Sequence, residues 1–234
     1  MYIKNIEPTN ENIFDEHEEE EYEYFDSFYH LHKTFIQPLN IKIDIPLFEE
    51  EIKQYHKFFR SWDINRPHLP RYGISLVNNN GLIRQKVDLG CSVFDQRNKK
   101  LPKNKHLNER LFTKKTEVYK NLKSLRPLDV LSDHLLRSNI LLWHKDASFL
   151  PHLDTVPRSH SYLRIWGVNN PSIYKFHSAD GDCMINVEPG RLYLIDTTKF
   201  HYAKTTGNWL YTFFIALDNS QKAMDKIQDV LQIN

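Results

Sequence analysis

Cysteine is scarce in this sequence: 234 residues contain only two, Cys91 and Cys183. They form neither a CxxC pair nor a secreted disulfide pattern, which fits a reducing compartment. No apolar run approaches the roughly 18 residues of a membrane span. The N-terminus is polar and acidic and does not read as a signal peptide. We therefore expect a soluble, cytoplasmic protein.

An excess of one charge is also absent. Lys and Arg together number 31 and Asp and Glu number 30, which gives a formal net charge of +1. Without a basic field, nucleic acid is not the expected partner. A small-molecule substrate is expected instead, with no membrane partner, and the sequence leaves the oligomeric state open.

The length favours one domain over residues 1–234, because β-sandwiches and barrels of this size are often single domains. Within it we predict a mostly helical N-terminal flank at 1–65. A β-rich core follows at 70–217, and a C-terminal helix at 219–234 closes the chain. The fold class is predicted to be mainly β with flanking helices.

Two stretches of the flank and core carry local signals. Pro46 and the acidic residues behind it indicate a helix start, with Leu47 on its apolar face and an end near Trp62. The run 71–77 alternates as a strand does and is followed by a turn at 78–81.

The main chemical signal is a His-x-Asp pair, His152 and Asp154, followed later by His201. Residues i and i+2 share one side of a strand, so both side chains of the pair can reach one ion. Two imidazoles and one carboxylate form the facial triad of non-haem Fe(II) oxygenases. A second His-x-Asp, His144 and Asp146, is a rival ligand pair.

The surroundings of this signal resemble strands of a barrel. Residues 163–166 place Arg164 among apolar side chains, where an inward cation can clamp a carboxylate. Residues 188–191 predict a tight turn into the apolar strand 192–195, and 210–217 predict a further strand. A structural ion pair in the barrel wall is the alternative role for Arg164.

Taken together, these motifs resemble the aspartyl/asparaginyl β-hydroxylase-like branch of the 2-oxoglutarate-dependent Fe(II) oxygenases. The resemblance covers about the last third of the chain. It rests on Pro151-His152-x-Asp154, Leu163-Arg164-Ile165-Trp166, Pro189-Gly190-Arg191, Ile195-Asp196 and His201.

The resemblance implies a double-stranded β-helix core, the jelly-roll or cupin-like fold. It also implies Fe(II) on His152, Asp154 and His201, with 2-oxoglutarate and O2 as co-substrates and ascorbate as an assay additive. Arg164 would hold a carboxylate of 2-oxoglutarate. The presence of Asp154 favours hydroxylation over halogenation, because halogenating relatives replace this carboxylate.

One departure from the family pattern concerns the co-substrate. Members often carry a second Arg downstream of the distal His, and this chain has Tyr211 there. Tyr211 donates one hydrogen bond and brings no charge, so Arg158 and Lys204 are candidate helpers of Arg164. Arg158 is alternatively a ligand for a carboxylate of the substrate.

The resemblance implies hydroxylation of an unactivated C–H bond, since relatives act on protein Asp or Asn side chains and on free amino acids. The compact size and the lack of a peptide-groove signature favour a small substrate, such as a free amino acid. The alternatives are a hydroxylase of protein Asp or Asn side chains and a cupin-like metal-binding protein without 2-oxoglutarate turnover. The aperiodic segment 95–107 is a candidate lid over the site. The acidic segment 17–26 is interpreted as a solvated helix face, with a partner surface as the alternative.

Overall fold

The computed structural model describes residues 36–62, 70–83, 100, 102, 111–152, 163–178, 187–197 and 201–231. Several sequence predictions therefore lie outside the described residues. They concern the acidic segment 17–26, nearly all of the segment 95–107, Asp154 and Arg158.

The described residues contain two antiparallel sheets. In chain order the strands are β1 (Ile36–Lys42), β2 (Arg60–Ser61), β3 (Arg71–Asn78), β4 (Lys114–Lys115), β5 (Ser138–Trp143), β6 (Ser148–His152), β7 (Leu163–Val168), β8 (Tyr174–Ser178), β9 (Arg191–Ile195), β10 (His201–Thr205) and β11 (Leu210–Leu217). The main sheet has the order β1-β9-β7-β11-β5-β3-β2, with β4 paired to β3. The smaller sheet has the order β6-β10-β8.

From β5 onward, consecutive strands alternate between the two sheets. β5, β7, β9 and β11 lie in the main sheet, and β6, β8 and β10 lie in the smaller one. Over the described residues, the pairings among these strands are antiparallel. This alternation is that of a jelly roll, in which the chain winds back and forth between two facing sheets. The predicted fold class, mainly β with flanking helices, is confirmed.

The helices are α1 (Ile45–Ile52), α2 (Glu117–Asn121) and α3 (Gln221–Val230), with 3-10 helices at Lys53–Phe58, Lys123–His134 and Pro171–Ile173. Each α-helix begins where the sequence supplies an oxygen for its first turn. Asp44, Thr116 and Ser220 accept hydrogen bonds from the backbone N–H groups of Leu47, Tyr119 and Ala223. The predicted C-terminal helix is confirmed as α3. Across the described residues, no helix is long and apolar enough to cross a membrane.

The N-terminal flank contains a strand as well as its predicted helical structure. In its described part, 36–62, β1 forms the edge of the main sheet beside β9, and the helical residues run from Ile45 to Phe58. Leu39 and Ile41 are buried and alternate with exposed Asn40 and Lys42, which is the period of a half-buried strand.

The first helix is also shorter than predicted. Helical structure ends at Phe58, before the short strand β2, and does not reach Trp62. Leu47, placed on the apolar face by the sequence pattern, is 39% exposed, whereas Phe48 and Ile52 are fully buried.

Two large cores lie among the described residues, one on each face of the main sheet. The helix-side core packs α1, α3 and the 3-10 helix Lys123–His134 against the outward face; it includes Phe48, Leu131, Leu163, Ile165, Tyr211, Phe213 and Ile227. The inter-sheet core fills the space between the sheets; it includes Leu141, Trp143, Trp166, Val168, Tyr193, Ile195, Ala203 and Leu210. Which core a side chain joins therefore tells which way it points.

The predicted turn before β9 requires its glycine. Gly190 has φ of +74°, and a Cβ at this position would lie 2.2 Å from the backbone oxygen of Ile43. Only glycine adopts this conformation without strain and allows so close an approach. Gly190 thereby holds the start of β9 against the segment between β1 and α1.

Candidate metal site at one end of the jelly roll

The two predicted histidine ligands lie opposite each other on neighbouring strands. His152 is the last residue of β6 and His201 is the first residue of β10, and the antiparallel register pairs them directly. Their ring centroids are 4.3 Å apart with an angle of 53° between the ring planes. We call this end of the sandwich, where β6 ends and β10 begins, the His end.

The strand β6 has an irregularity just before His152. The register with β10 shifts between the pair His152–His201 and the pair Phe149–Ala203. Pro151 lies in this interval, and proline cannot donate a ladder hydrogen bond. Such an irregularity re-aims the side chains beside it. His152 and Phe149, three positions apart, consequently contact each other with ring centroids 3.8 Å apart.

Both histidines are on the inner side of the smaller sheet. His201 is 5% exposed and alternates along β10 with Ala203, which belongs to the inter-sheet core. His152 is half-buried and touches Phe149, which packs against the same core. The two imidazoles therefore face the space between the sheets.

The donor set fits a first-row metal as far as it is described. Imidazole nitrogens are ligands for iron and zinc among other metals. Within the described ranges, no group of three or more His, Cys, Asp or Glu side chains is placed to hold an ion. The predicted third ligand, Asp154, lies outside those ranges, so the described structure supplies two imidazoles at one position.

Arg164 lies at the same end of the molecule, on the opposite sheet. It is the second residue of β7 and pairs with Ile195 on one side and Ala216 on the other. Its neighbours Leu163 and Ile165 belong to the helix-side core, whereas Trp166 belongs to the inter-sheet core. Alternation along β7 therefore turns Arg164 toward the space that His152 and His201 face.

Tyr211 does not fit its expected role as a helper of Arg164. Its ring belongs to the helix-side core and packs edge-on against Phe48 with centroids 5.3 Å apart. Its hydroxyl shares a 2.7 Å hydrogen bond with Nε2 of His56. The main sheet therefore separates this side chain from the inter-sheet space toward which Arg164 is turned.

The chemistry of Tyr211 is that of a structural phenol. Burial, and second the negative charge of Glu49, raise the pKa of Tyr211 to about 12. The phenol therefore stays protonated and neutral around pH 7.

Replacing Tyr211 with Phe should consequently lower the free energy of unfolding and leave the affinity for 2-oxoglutarate unchanged. Loss of the hydrogen bond to His56 is expected to reduce the free energy of unfolding by about 0.5–1.5 kcal/mol. Urea unfolding and titration of 2-oxoglutarate measure the two effects separately. Tyr55→Phe, which removes the acceptor of a 3.2 Å bond from Asn121 in the same core, is the matched control. A tenfold loss of co-substrate affinity in Tyr211→Phe alone would restore the original assignment.

Lys204 also does not fit its expected role. Along β10, His201, Ala203 and Thr205 are buried, and Lys204 between them is exposed. Its side chain is therefore on the outer face of the smaller sheet, away from the inter-sheet space. Arg158, the other candidate helper, lies outside the described residues.

The rival pair, His144 and Asp146, lies at the opposite end of the sandwich. Both residues are in the turn that joins β5 to β6, where the N–H of Ala147 donates to the carbonyl of His144. Asp146 is exposed with φ of +63°. The ring of His144 packs on Trp209, with centroids 5.3 Å apart. The structure thus separates this pair from His201.

One neighbour of the site was missed by the sequence reading. Arg71, at the start of β3, is 2% exposed, and its guanidinium carbon lies 4.1 Å from the ring centroid of Phe149. Phe149 in turn contacts His152. The ring of Phe149 therefore lies between the buried guanidinium of Arg71 and the imidazole of His152. The pattern of residues 71–77 predicted a strand, but it did not indicate that the side chain of Arg71 would be on the inter-sheet face.

Comparisons with known proteins gave a distant structural similarity and no match in sequence. No family model matches the sequence, and no curated protein matches it. Among solved structures, the chain is similar to one described as an oxidoreductase of the 2OG-Fe(II) oxygenase family from Burkholderia pseudomallei. The TM-score is 0.35 at 11% sequence identity, over 64% of this chain and 67% of that chain. Similarity at this level does not assign this chain to a family.

Proposed function

We propose that this protein is an Fe(II)- and 2-oxoglutarate-dependent oxygenase. The observation that carries the proposal is the direct pairing of His152 with His201 at the His end of a jelly roll. Arg164 is on the facing sheet at the same end, on the face that alternation along β7 turns toward the inter-sheet space. Asp154 is the third ligand in this proposal, two residues beyond His152.

The chain's own residues would bind and orient the reactants. His152, Asp154 and His201 hold Fe(II), which together with 2-oxoglutarate supplies the activation of dioxygen needed to hydroxylate a C–H bond. The guanidinium of Arg164 binds a carboxylate of 2-oxoglutarate through two parallel hydrogen bonds. Aromatic residues between the sheets keep water from the reacting groups; they are Trp143, Phe149, Trp166 and Tyr193.

The substrate in this proposal is a small molecule, with a free amino acid favoured. The motif pattern supports the aspartyl/asparaginyl β-hydroxylase-like branch, whose members hydroxylate protein side chains or free amino acids. A hydroxylase of protein Asp or Asn side chains is therefore the second candidate. A cupin-like metal-binding protein without 2-oxoglutarate turnover is the third, because two histidines on a jelly roll also suit other metal chemistry.

Release of succinate under air separates the oxygenase from the metal-binding protein. Purified protein with Fe(II), ascorbate and 2-oxoglutarate should form succinate even without a substrate, since many such enzymes turn over slowly when uncoupled. Replacing Fe(II) with Zn(II) is the control and should stop the reaction. Metal binding with no succinate under any condition would favour the cupin-like protein. A screen of free amino acids beside Asp- and Asn-containing peptides then separates the two oxygenase candidates by which set stimulates succinate formation.

A further inference from the structure

A second arginine lies at the His end and was not singled out by the sequence. Arg137 directly precedes β5 and is 6% exposed. Its guanidinium carbon lies 5.4 Å from the ring centroid of Trp62, a member of the inter-sheet core. Arg137 therefore faces the inter-sheet space.

Arg137 and Arg164 lie on opposite sides of the strand β11. The pairs Phe214–Asn139 and Leu217–Leu135 bracket Arg137, which places it beside the Ile215–Ala216 segment of β11. On the other edge of β11, Ala216 pairs with Arg164. Because β5 and β7 are two strand spacings apart, the Cα atoms of the two arginines are about 10 Å apart.

This spacing gives the His end two separate positions for anions. Facing sheets lie about 10 Å apart, so a group bound at either arginine is within the length of a small molecule of His152 and His201. One 2-oxoglutarate with its keto acid end at a metal has one remaining carboxylate and uses one arginine. Arg137 is then placed for a different ligand. Arg71, the third arginine near the site, lies against the rings of Trp143 and Phe149 at the far end of β5.

The chemistry of a single guanidinium at Arg137 suits a monoanion. Two residues along the chain, Asn139 accepts a 3.3 Å hydrogen bond from the hydroxyl of Ser75, and this pair is neutral. Trp62 covers the guanidinium with a flat apolar surface that excludes water. A guanidinium matches a carboxylate in shape and charge through two parallel hydrogen bonds, whereas a phosphoryl dianion calls for a second cation.

We propose that Arg137 binds the carboxylate of the substrate, and that the substrate is a small molecule with a free carboxylate. This inference rests on the proposed oxygenase function. Arg164 holds the co-substrate, Arg137 holds the substrate, and the His pair lies across the gap from both. Arg137 is thus the residue that selects for acids over their amides.

Binding of the twenty common amino acids and of their carboxamides tests this selection. The protein is loaded with Mn(II) and 2-oxoglutarate, and calorimetry gives the affinity for each compound. At least one acid should bind about 10- to 100-fold more tightly than its carboxamide, as expected for a charge-assisted contact. In Arg137→Met this preference should disappear while 2-oxoglutarate still binds. In Arg164→Met the affinity for 2-oxoglutarate should fall instead.

Two further variants control for folding. Arg137→Lys keeps the buried charge but loses the planar fork, so it should fold and still weaken the preferred acid. Arg191→Met is the matched control, because Arg191 is a half-buried arginine bound to Glu188 and to the carbonyl of Leu39, away from the His end. No acid-over-amide preference in the wild-type protein would overturn the proposal. An acid preference that both Arg137 variants retain would overturn it as well.

The same measurements keep this proposal separate from the proposed function. Acid-selective binding that depends on Arg137, in a protein that forms no succinate, would retain the anion site and reject the oxygenase. Succinate formation without acid-selective binding would retain the oxygenase and reject the role of Arg137.

Discussion

Replacing His201 with Ala should abolish iron binding and the decarboxylation of 2-oxoglutarate. His201 supplies one of only two imidazoles that the described structure brings together at the His end. Loss of a residue that merely supports a metal ligand costs about 10- to 100-fold in metal affinity, so loss of a ligand should cost more. Equilibrium dialysis with Fe(II), followed by metal analysis, measures the iron bound. His152→Ala should lose iron binding in the same way.

The rival pair offers the matched control for this experiment. His144→Ala removes an imidazole from the opposite end of the sandwich, where it packs on Trp209. It should leave the iron content at the wild-type level. Iron lost from His144→Ala and kept by His201→Ala would assign the metal to the turn between β5 and β6. Circular dichroism and the melting temperature show whether the buried His201 position still folds as Ala.

Replacing Arg164 with Met should weaken 2-oxoglutarate binding without removing iron. Arg164 is half-buried on the inter-sheet face, at the level of Ala216 and Ile195. Loss of a charge-assisted, two-bond contact to a carboxylate is expected to cost about 2–4 kcal/mol, which corresponds to roughly 30- to 1000-fold in affinity. Titration of 2-oxoglutarate into Mn(II)-loaded protein gives this number directly.

A second variant separates the contribution of the charge of Arg164 to 2-oxoglutarate binding from the contribution of its planar shape. Arg164→Lys keeps the cation and loses the fork, so its affinity should lie between those of the wild type and Arg164→Met. Met retains much of the apolar length of Arg, which limits loss of packing. An unchanged affinity in Arg164→Met, with iron still bound, would move the co-substrate to Arg71 or Arg137, which are buried arginines in the described structure.

Much of the β core could be predicted from local patterns. The strand β7 was visible as Arg164 between apolar residues, and β9 as an apolar run behind the turn at Gly190. Both signals are local, because a strand that buries one or both faces shows it in the spacing of its own side chains. The strand β1 carried the same alternation at Leu39 and Ile41 but lay in a segment interpreted as helical.

The candidate site was predictable only in part. The residue types of the facial triad and their order in the chain identified His152 and His201, and the structure places them side by side. Asp154 and Arg158 remain predictions, since both lie outside the described residues. Tyr211 and Lys204 were chosen by distance along the chain, which does not tell on which face of a sheet a side chain lies.

Composition, turn residues and the period of apolar side chains were enough to determine that this chain is a mainly β protein with a His-x-Asp…His signal. Tertiary structure decided which residues share a space. The order of β5, β11 and β7 in the sheet set Arg137 and Arg164 on either side of β11, and the sheet itself separated Tyr211 from His201. Register between strands distant in sequence depends on how both faces of the sheet are buried, and a one-residue shift reverses every side chain, so local patterns could not supply it.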